Sequence, residues 1–228
     1  MWKILELSSD NSLFIELPGH NTILHSQNTI EKQLTFIEGV KFVAEKIPDI
    51  PVRLIGYSMG ARVALAIALL PHTSIEEIIL ISVHPGLTDK NEIETRKAED
   101  IKLKEMLLQN QDMNEFVSMW ENKEIFKTQK SLPEEVFNKQ RAMRLSHEPR
   151  QIAEAINAFG LGFMPDFSKK LSAIKIPVTL CVGEFDEKFL EIAIKMGAGF
   201  NNSRIKIISK SGHNPIIENP VGFKRECL

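Results

Sequence analysis

Residues 51–65, "PVRLIGYSMGARVAL", set an apolar, β-branched run directly against Gly56-Tyr57-Ser58-Met59-Gly60, and an apolar helical pattern begins at once. Few folds accommodate that order. Glycine is chosen where a backbone is strained or crowded, because it has no Cβ to clash. A strand that turns into a helix through Gly-x-Ser-x-Gly is a nucleophile elbow, which lifts a serine Oγ clear at the end of a sheet strand. Ser58 is therefore a candidate catalytic residue, whose role the spacing alone leaves open.

The rest of the chain supplies a sheet for that elbow. Besides "VRLIGY" (52–57), the runs "SLFIEL" (12–17), "EIILISV" (77–83), "PVTLCVG" (177–183) and "RIKIIS" (204–209) read as strands. Most are continuously apolar, as in strands covered on both faces. Helical patterns fall between them. From Asn28, the residues Ile30, Leu34, Ile37, Val40, Val43 and Ile47 mark one helical face, with Glu31 as a capping-box acid and Pro48 as the stop. "ARVALAIALL" is apolar nearly all round and predicts a helix buried against the sheet. Strands alternating with helices imply an α/β fold with a mostly parallel sheet.

The alternation breaks at residues 88–165, which are highly charged and helical. This predicts a core built from 1–87 and 166–228 with a helical cap or lid, 88–165, inserted between two strands. Ligands of such sheets bind at the carboxyl ends of the strands. At 228 residues, with 43% hydrophobic and 25% charged residues, the chain reads as one globular domain with an insertion. A net charge of −2 gives no general attraction to nucleic acid or anionic membrane. The two cysteines, Cys181 and Cys227, have neither metal-ligand spacing nor a disulfide framework, which fits a reducing compartment. "MWKILELSSD" lacks the pattern of a signal peptide, and no apolar run approaches the roughly 18 residues of a membrane span. A cytoplasmic location is expected, with neither a membrane nor a nucleic-acid partner.

A serine elbow needs a base and a group that orients the base. "CVGEFDEKF" puts Asp186 just beyond an apolar strand, and "ISKSGHNPIIENP" puts His213 in a glycine-containing loop after the last strand. Both fall at strand carboxyl ends, like Ser58. His213 would take the Ser58 proton and Asp186 would fix the imidazole tautomer. Taken singly, Asp186 could instead N-cap "EKFLEIAIKM", and His213 could be an ordinary loop residue. His20 and His25 lack the H-E-x-x-H helix of a zinc protease, and His72 and His147 read as surface residues. No metal site or cofactor is expected, and "FGLGF" (159–163) reads as a loop.

In these features the sequence resembles the α/β-hydrolase superfamily. Within it the chain looks most like the 2-succinyl-6-hydroxy-2,4-cyclohexadiene-1-carboxylate (SHCHC) synthases of menaquinone biosynthesis. The likeness runs through "ELPGHN", "GYSMGAR", "HPGL", "ETRKAED", "WENKEIF", "RAMRLSHEP", "GEFDEKF" and "SGHNPIIENP". It implies a lyase that removes a proton from a cyclohexene bearing a succinyl chain and eliminates pyruvate, with Ser58, His213 and Asp186 acting as a general base. The family's substrate carries three carboxylates, so the resemblance assigns Arg62, Arg96 and Arg144 to carboxylate binding. It places Tyr57 and the lid residue Trp120 against the substrate, and the N–H of Met59 in the oxyanion hole. The partner implied is a small polycarboxylate.

Two departures carry expectations of their own. Only sixteen residues precede "LPGH", so the chain is expected to lack the family's opening strand and H-G-x-x-G-S loop. One oxyanion donor and one strand neighbour would go with them. It is also expected to stop short of the family's closing helix. Ala61, where the family has glycine, is mild if its φ is negative, and Asn21 tolerates left-handed backbone. Two other functions remain open: a serine hydrolase of carboxylic esters, and a non-catalytic α/β-hydrolase-like protein.

Overall fold

The structure, a computed structural model, describes residues 11–20, 33–71 and 74–228. In chain order the first elements are α1 (Phe36–Ala44), β1 (Val52–Tyr57), α2 (Met59–Ile67) and β2 (Ile75–Ile81). The helical insertion follows: α3 (Lys90–Asn110), α4 (Met113–Glu121), a 3₁₀ helix (Glu124–Ser131), α5 (Glu134–Leu145) and α6 (Pro149–Phe159). The chain then returns through β3 (Val178–Gly183), α7 (Glu187–Gly197), β4 (Ser203–Ile208), α8 (Pro215–Glu218) and α9 (Pro220–Cys227).

The four strands form one parallel sheet in the order β1-β2-β3-β4. Parallel neighbours need crossovers, and these are α2, the helical insertion and α7. Every strand therefore ends on the same edge, where Ser58, Asp186 and His213 follow β1, β3 and β4. The continuously apolar runs are buried as expected: Ile78, Ile79, Leu80 and Ile81 of β2 are fully enclosed, and so is all of β3. The helix after Ser58 is buried from Ala61 to Ile67.

The run 12–17 is not a strand. It has no regular secondary structure and no ladder partner, and Leu13 and Phe14 are 63% and 45% exposed. β-branched and aromatic side chains favour extended backbone, but a strand exists only where its N–H and C=O groups find a neighbour. Among the described residues no strand flanks β1 on the side away from β2. The first helix is also shorter than its pattern. It is opened by Thr35, whose hydroxyl and backbone N–H exchange hydrogen bonds with Glu38, and it ends before Pro48. Its predicted start at Asn28 with Glu31 lies outside the described residues.

The insertion has its own small core, in which Leu103 and Leu107 of α3 meet Phe116 and Val117 of α4 and Ile152 and Ile156 of α6. It is anchored to the sheet layer by Phe159, fully buried at the end of α6, whose ring lies against Phe36 at 6.2 Å and against Gly39. Among the described residues no helix is long and apolar enough to cross a membrane.

Candidate active site

β1 delivers Ser58 at φ +49° and ψ −109°, a backbone that non-glycine residues rarely adopt. The strain is held by the Ser58 N–H, which donates to the Ile81 carbonyl at 2.8 Å. The two elbow glycines differ in what they do. A Cβ on Gly56 would lie 2.5 Å from the Gly60 carbonyl, so the turn closes only over a bare α-carbon. A Cβ on Gly60 would meet nothing within 4 Å, and its φ is not positive. Ala61 also keeps a negative φ, so its replacement of glycine is mild.

The Ser58 side chain makes no capping bond to α2, which leaves Oγ available, and His213 Nε2 lies 3.2 Å from it. On the other face of the ring, Nδ1 is 2.7 Å from Asp186 Oδ2. Asp186 stands at the N-cap position of α7 yet makes no cap bond, so its carboxylate is committed to His213. A carboxylate only accepts, so Nδ1 carries the proton and the Nε2 lone pair faces the serine. His213 is 1% exposed and Asp186 7%. Rings of Phe189, Tyr57 and Phe126 surround the imidazole at 4.5, 5.6 and 5.8 Å. The His213 loop is pinned from both sides. Ser82 Oγ donates to the His213 carbonyl, and the Glu218 carboxylate accepts from the N–H groups of Gly212 and Asn214.

Met59 is the first residue of α2, where an amide has no helical acceptor and is free to meet an anion. Beside this lie the predicted cations. Arg62 is 8% exposed; its Nη2 donates to the Phe159 carbonyl at 2.7 Å and its Nε has no partner. Burial, and after it the charge of Arg96, brings its pKa down to about 10. Arg96 Nε donates to Asp100 Oδ1 at 2.9 Å, and the other oxygen of that buried acid accepts the Gly162 N–H. The "FGLGF" segment is a loop from Gly160 on, Phe159 being the last residue of α6, and it also holds both arginines in position. Arg144 is engaged within the protein. Its guanidinium donates to Glu121 at 2.9 Å and Gln129 at 3.0 Å, above the Phe126 ring, and Arg141 shares the Glu121 carboxylate. Trp120 stacks on Phe116 and leans on Phe126.

Several residues of the site escaped the sequence reading. His84, just past β2, accepts the Gly86 N–H at Nδ1. Burial first, then Arg62, Lys188 and Arg96, depress its pKa to about 4, so at neutral pH it is an uncharged donor through Nε2. Burial pushes the Tyr57 hydroxyl well above its usual pKa, against the opposing pull of Arg144. Asp100 carried a visible signal, its spacing of four from Arg96 on a helix. Phe126 closes the "WENKEIF" stretch that begins at Trp120 and so carried one as well. Ser82, Glu121, Gln129 and Phe189 carried none, since only the tertiary fold brings them in. His147 is not a free surface residue: it is half-buried, with its ring 5.8 Å from that of His20. His25, His72 and Asn21 lie outside the described residues.

A strained serine at a strand end, backed by histidine and aspartate from later strand ends, defines a class. The chain belongs to the alpha/beta hydrolase fold family, whose pattern it matches over residues 18–220. Within that family it is similar to proteins named for one activity. A Bacillus subtilis protein provisionally named 2-succinyl-6-hydroxy-2,4-cyclohexadiene-1-carboxylate synthase is 34% identical over 169 residues, 74% of this chain and 61% of that protein. The match thus spans less than two thirds of that relative's length. An Escherichia coli protein named as the same synthase is 27% identical over 95% of this chain and 82% of its own. The solved structure of MenH from S. aureus superposes with a TM-score of 0.86 at 34% identity, covering 92% of this chain and 79% of that one.

Proposed function

We propose that this protein is a carbon–oxygen lyase of the SHCHC synthase type, acting in menaquinone biosynthesis. Its substrate would be 2-succinyl-5-enolpyruvyl-6-hydroxy-3-cyclohexene-1-carboxylate. The observation that carries this reading is the Arg62 guanidinium, nearly sealed from solvent four positions past Ser58 with an unpartnered Nε. A buried charge is costly unless an anion meets it, and a substrate carboxylate is such an anion. A pocket for neutral esters has no use for one.

In this reading His213 takes the Ser58 proton at Nε2 and the serine oxygen removes a ring C–H proton. The C–O bond to the enolpyruvyl group then breaks as a ring double bond forms. The departing enolpyruvate collects the proton held on His213 and becomes pyruvate. Asp186 stabilises the imidazolium in between. The Met59 N–H would steady the negative charge that builds on the substrate. Arg62, Arg96 and Arg144 bind carboxylates, Arg144 by exchanging part of its hold on Glu121 and Gln129, while Tyr57 and Trp120 pack on the ring. The helical block 88–165 serves as the lid over a core of 1–87 and 166–228, and the enzyme works in the cytoplasm.

The test sets the enolpyruvyl substrate against a neutral p-nitrophenyl ester at equal enzyme concentration. The lyase reading expects pyruvate release with ester turnover lower by orders of magnitude. Rapid ester turnover that stops when an organophosphonate labels Ser58, with no pyruvate released, would make the protein an ester hydrolase.

A further inference from the structure

We propose that Lys123 is an additional substrate-binding residue, an ammonium set on the face of Trp120 to receive one carboxylate of the polyanionic substrate; this rests on the lyase reading above. Lys123 precedes the 3₁₀ helix Glu124–Ser131, and its backbone N–H donates to the Trp120 carbonyl. That bond folds the side chain back over the indole, with Nζ 4.7 Å from the ring centroid.

Neighbouring lysines of the insertion find polar partners: Lys127 pairs with Glu124, Lys130 donates to Asn122, and Lys104 donates to Asn157. Lys123 is half-buried, and among the described residues no carboxylate lies within ion-pair distance of its Nζ. An indole face repays only part of the lost hydration of an ammonium. The charges that act on it come from α3: Arg96 repels it, while Glu99 and Asp100 attract it. Burial first and Arg96 second lower its pKa, the signature of a cation short of an anion.

The direction of the site agrees. From His213 an aromatic wall runs through Phe126 at 5.8 Å to Trp120 at a further 5.6 Å, and Lys123 caps the far ring. A substrate whose reacting carbon sits at Ser58 and whose ring and chain lie along this wall would bring a remote carboxylate to Lys123 and Arg96 together. Lysine suits that place, since a point charge on a flexible stem can follow the mobile end of a succinyl chain.

The test uses the full chain as wild type, Lys123→Gln and Lys123→Arg. Steady-state pyruvate release is measured together with calorimetric binding of the product SHCHC, which retains two carboxylates. Lys123→Gln is expected to raise KM about tenfold or more with kcat changed less than about threefold, and to weaken product binding comparably, while Lys123→Arg recovers most of both. Unchanged KM and product affinity in Lys123→Gln, beside a wild type that releases pyruvate, would overturn the role of Lys123 and leave the lyase standing. A loss confined to kcat, or a lowered melting temperature in both variants, would make Lys123 structural and overturn the inference equally. A wild type that neither releases pyruvate nor binds product would overturn the lyase reading itself.

Discussion

The Ser82 hydroxyl donates to the backbone carbonyl of His213 at 2.9 Å, tying the end of β2 to a loop 131 positions later. Ser82 is buried and, like Ser58, holds a positive φ, +48°. Two strained serines at adjacent strand ends thus serve one site, one facing the imidazole and the other fixing its backbone.

Ser82→Gly keeps that backbone accessible without strain and removes the hydroxymethyl group, so the tether to His213 is lost while the turn can keep its shape. We expect kcat to fall about tenfold and stability by about 1 kcal/mol, as for a buried hydrogen bond left half made. Steady-state kinetics and chemical denaturation of the purified variant check both values.

The elbow glycines give a contrast that the motif alone would not. Gly56→Ala forces a Cβ to 2.5 Å from the Gly60 carbonyl and should cost about 3 kcal/mol, with activity lost as Ser58 shifts. Gly60→Ala enters open space at a negative φ and should be neutral or stabilise by about 0.5 kcal/mol. Thermal melts of the pair decide it.

Arg62→Ala removes the buried guanidinium and strands the Phe159 carbonyl that it bonds. KM should rise about 10- to 100-fold, with a smaller fall in kcat, since the cation helps to hold the substrate for the elimination step. A kinetically silent Arg62→Ala would remove the basis of the carboxylate pocket.

Acid should unfold the protein through two histidines. Burial depresses both His20 and His84 from about 6.5 to about 4. Between those values the unfolded chain binds protons that the folded chain refuses, so stability rises with pH across this window and is lost as pH falls through it. The pair should contribute a few kcal/mol in total. Denaturation midpoints measured from pH 7 to pH 4 should decline, and His84→Gln should flatten part of the slope.

How far the sequence carried the account depended on how local each determinant was. The runs at 52–57, 177–183 and 204–209 fall within one residue of strands β1, β3 and β4, and 77–83 within two of β2. β3 and the Ile78–Ile81 half of β2 are covered without interruption, while β1 and β4 keep exposed positions such as Arg53 and Ile207. The three residues at strand ends were legible from those runs, and their separation of 2.7 and 3.2 Å follows from the parallel topology. The run 12–17 misled because composition reports a taste for extended backbone and says nothing of a neighbour. Arg144 was legible as a cation, but its tie to Glu121 and Gln129 depends on how α4, the 3₁₀ helix and α5 pack. His84 and Lys123 were hidden for a related reason: their chemistry is set by charges that only the fold brings close.

The most direct test of the central claim is pyruvate release from the enolpyruvyl cyclohexene substrate, followed with a lactate dehydrogenase couple, for the wild type and Ser58→Ala. Steady release by the wild type is expected, with a fall of at least about a thousandfold in the variant. Equal release by both, at the uncatalysed rate, would contradict that claim.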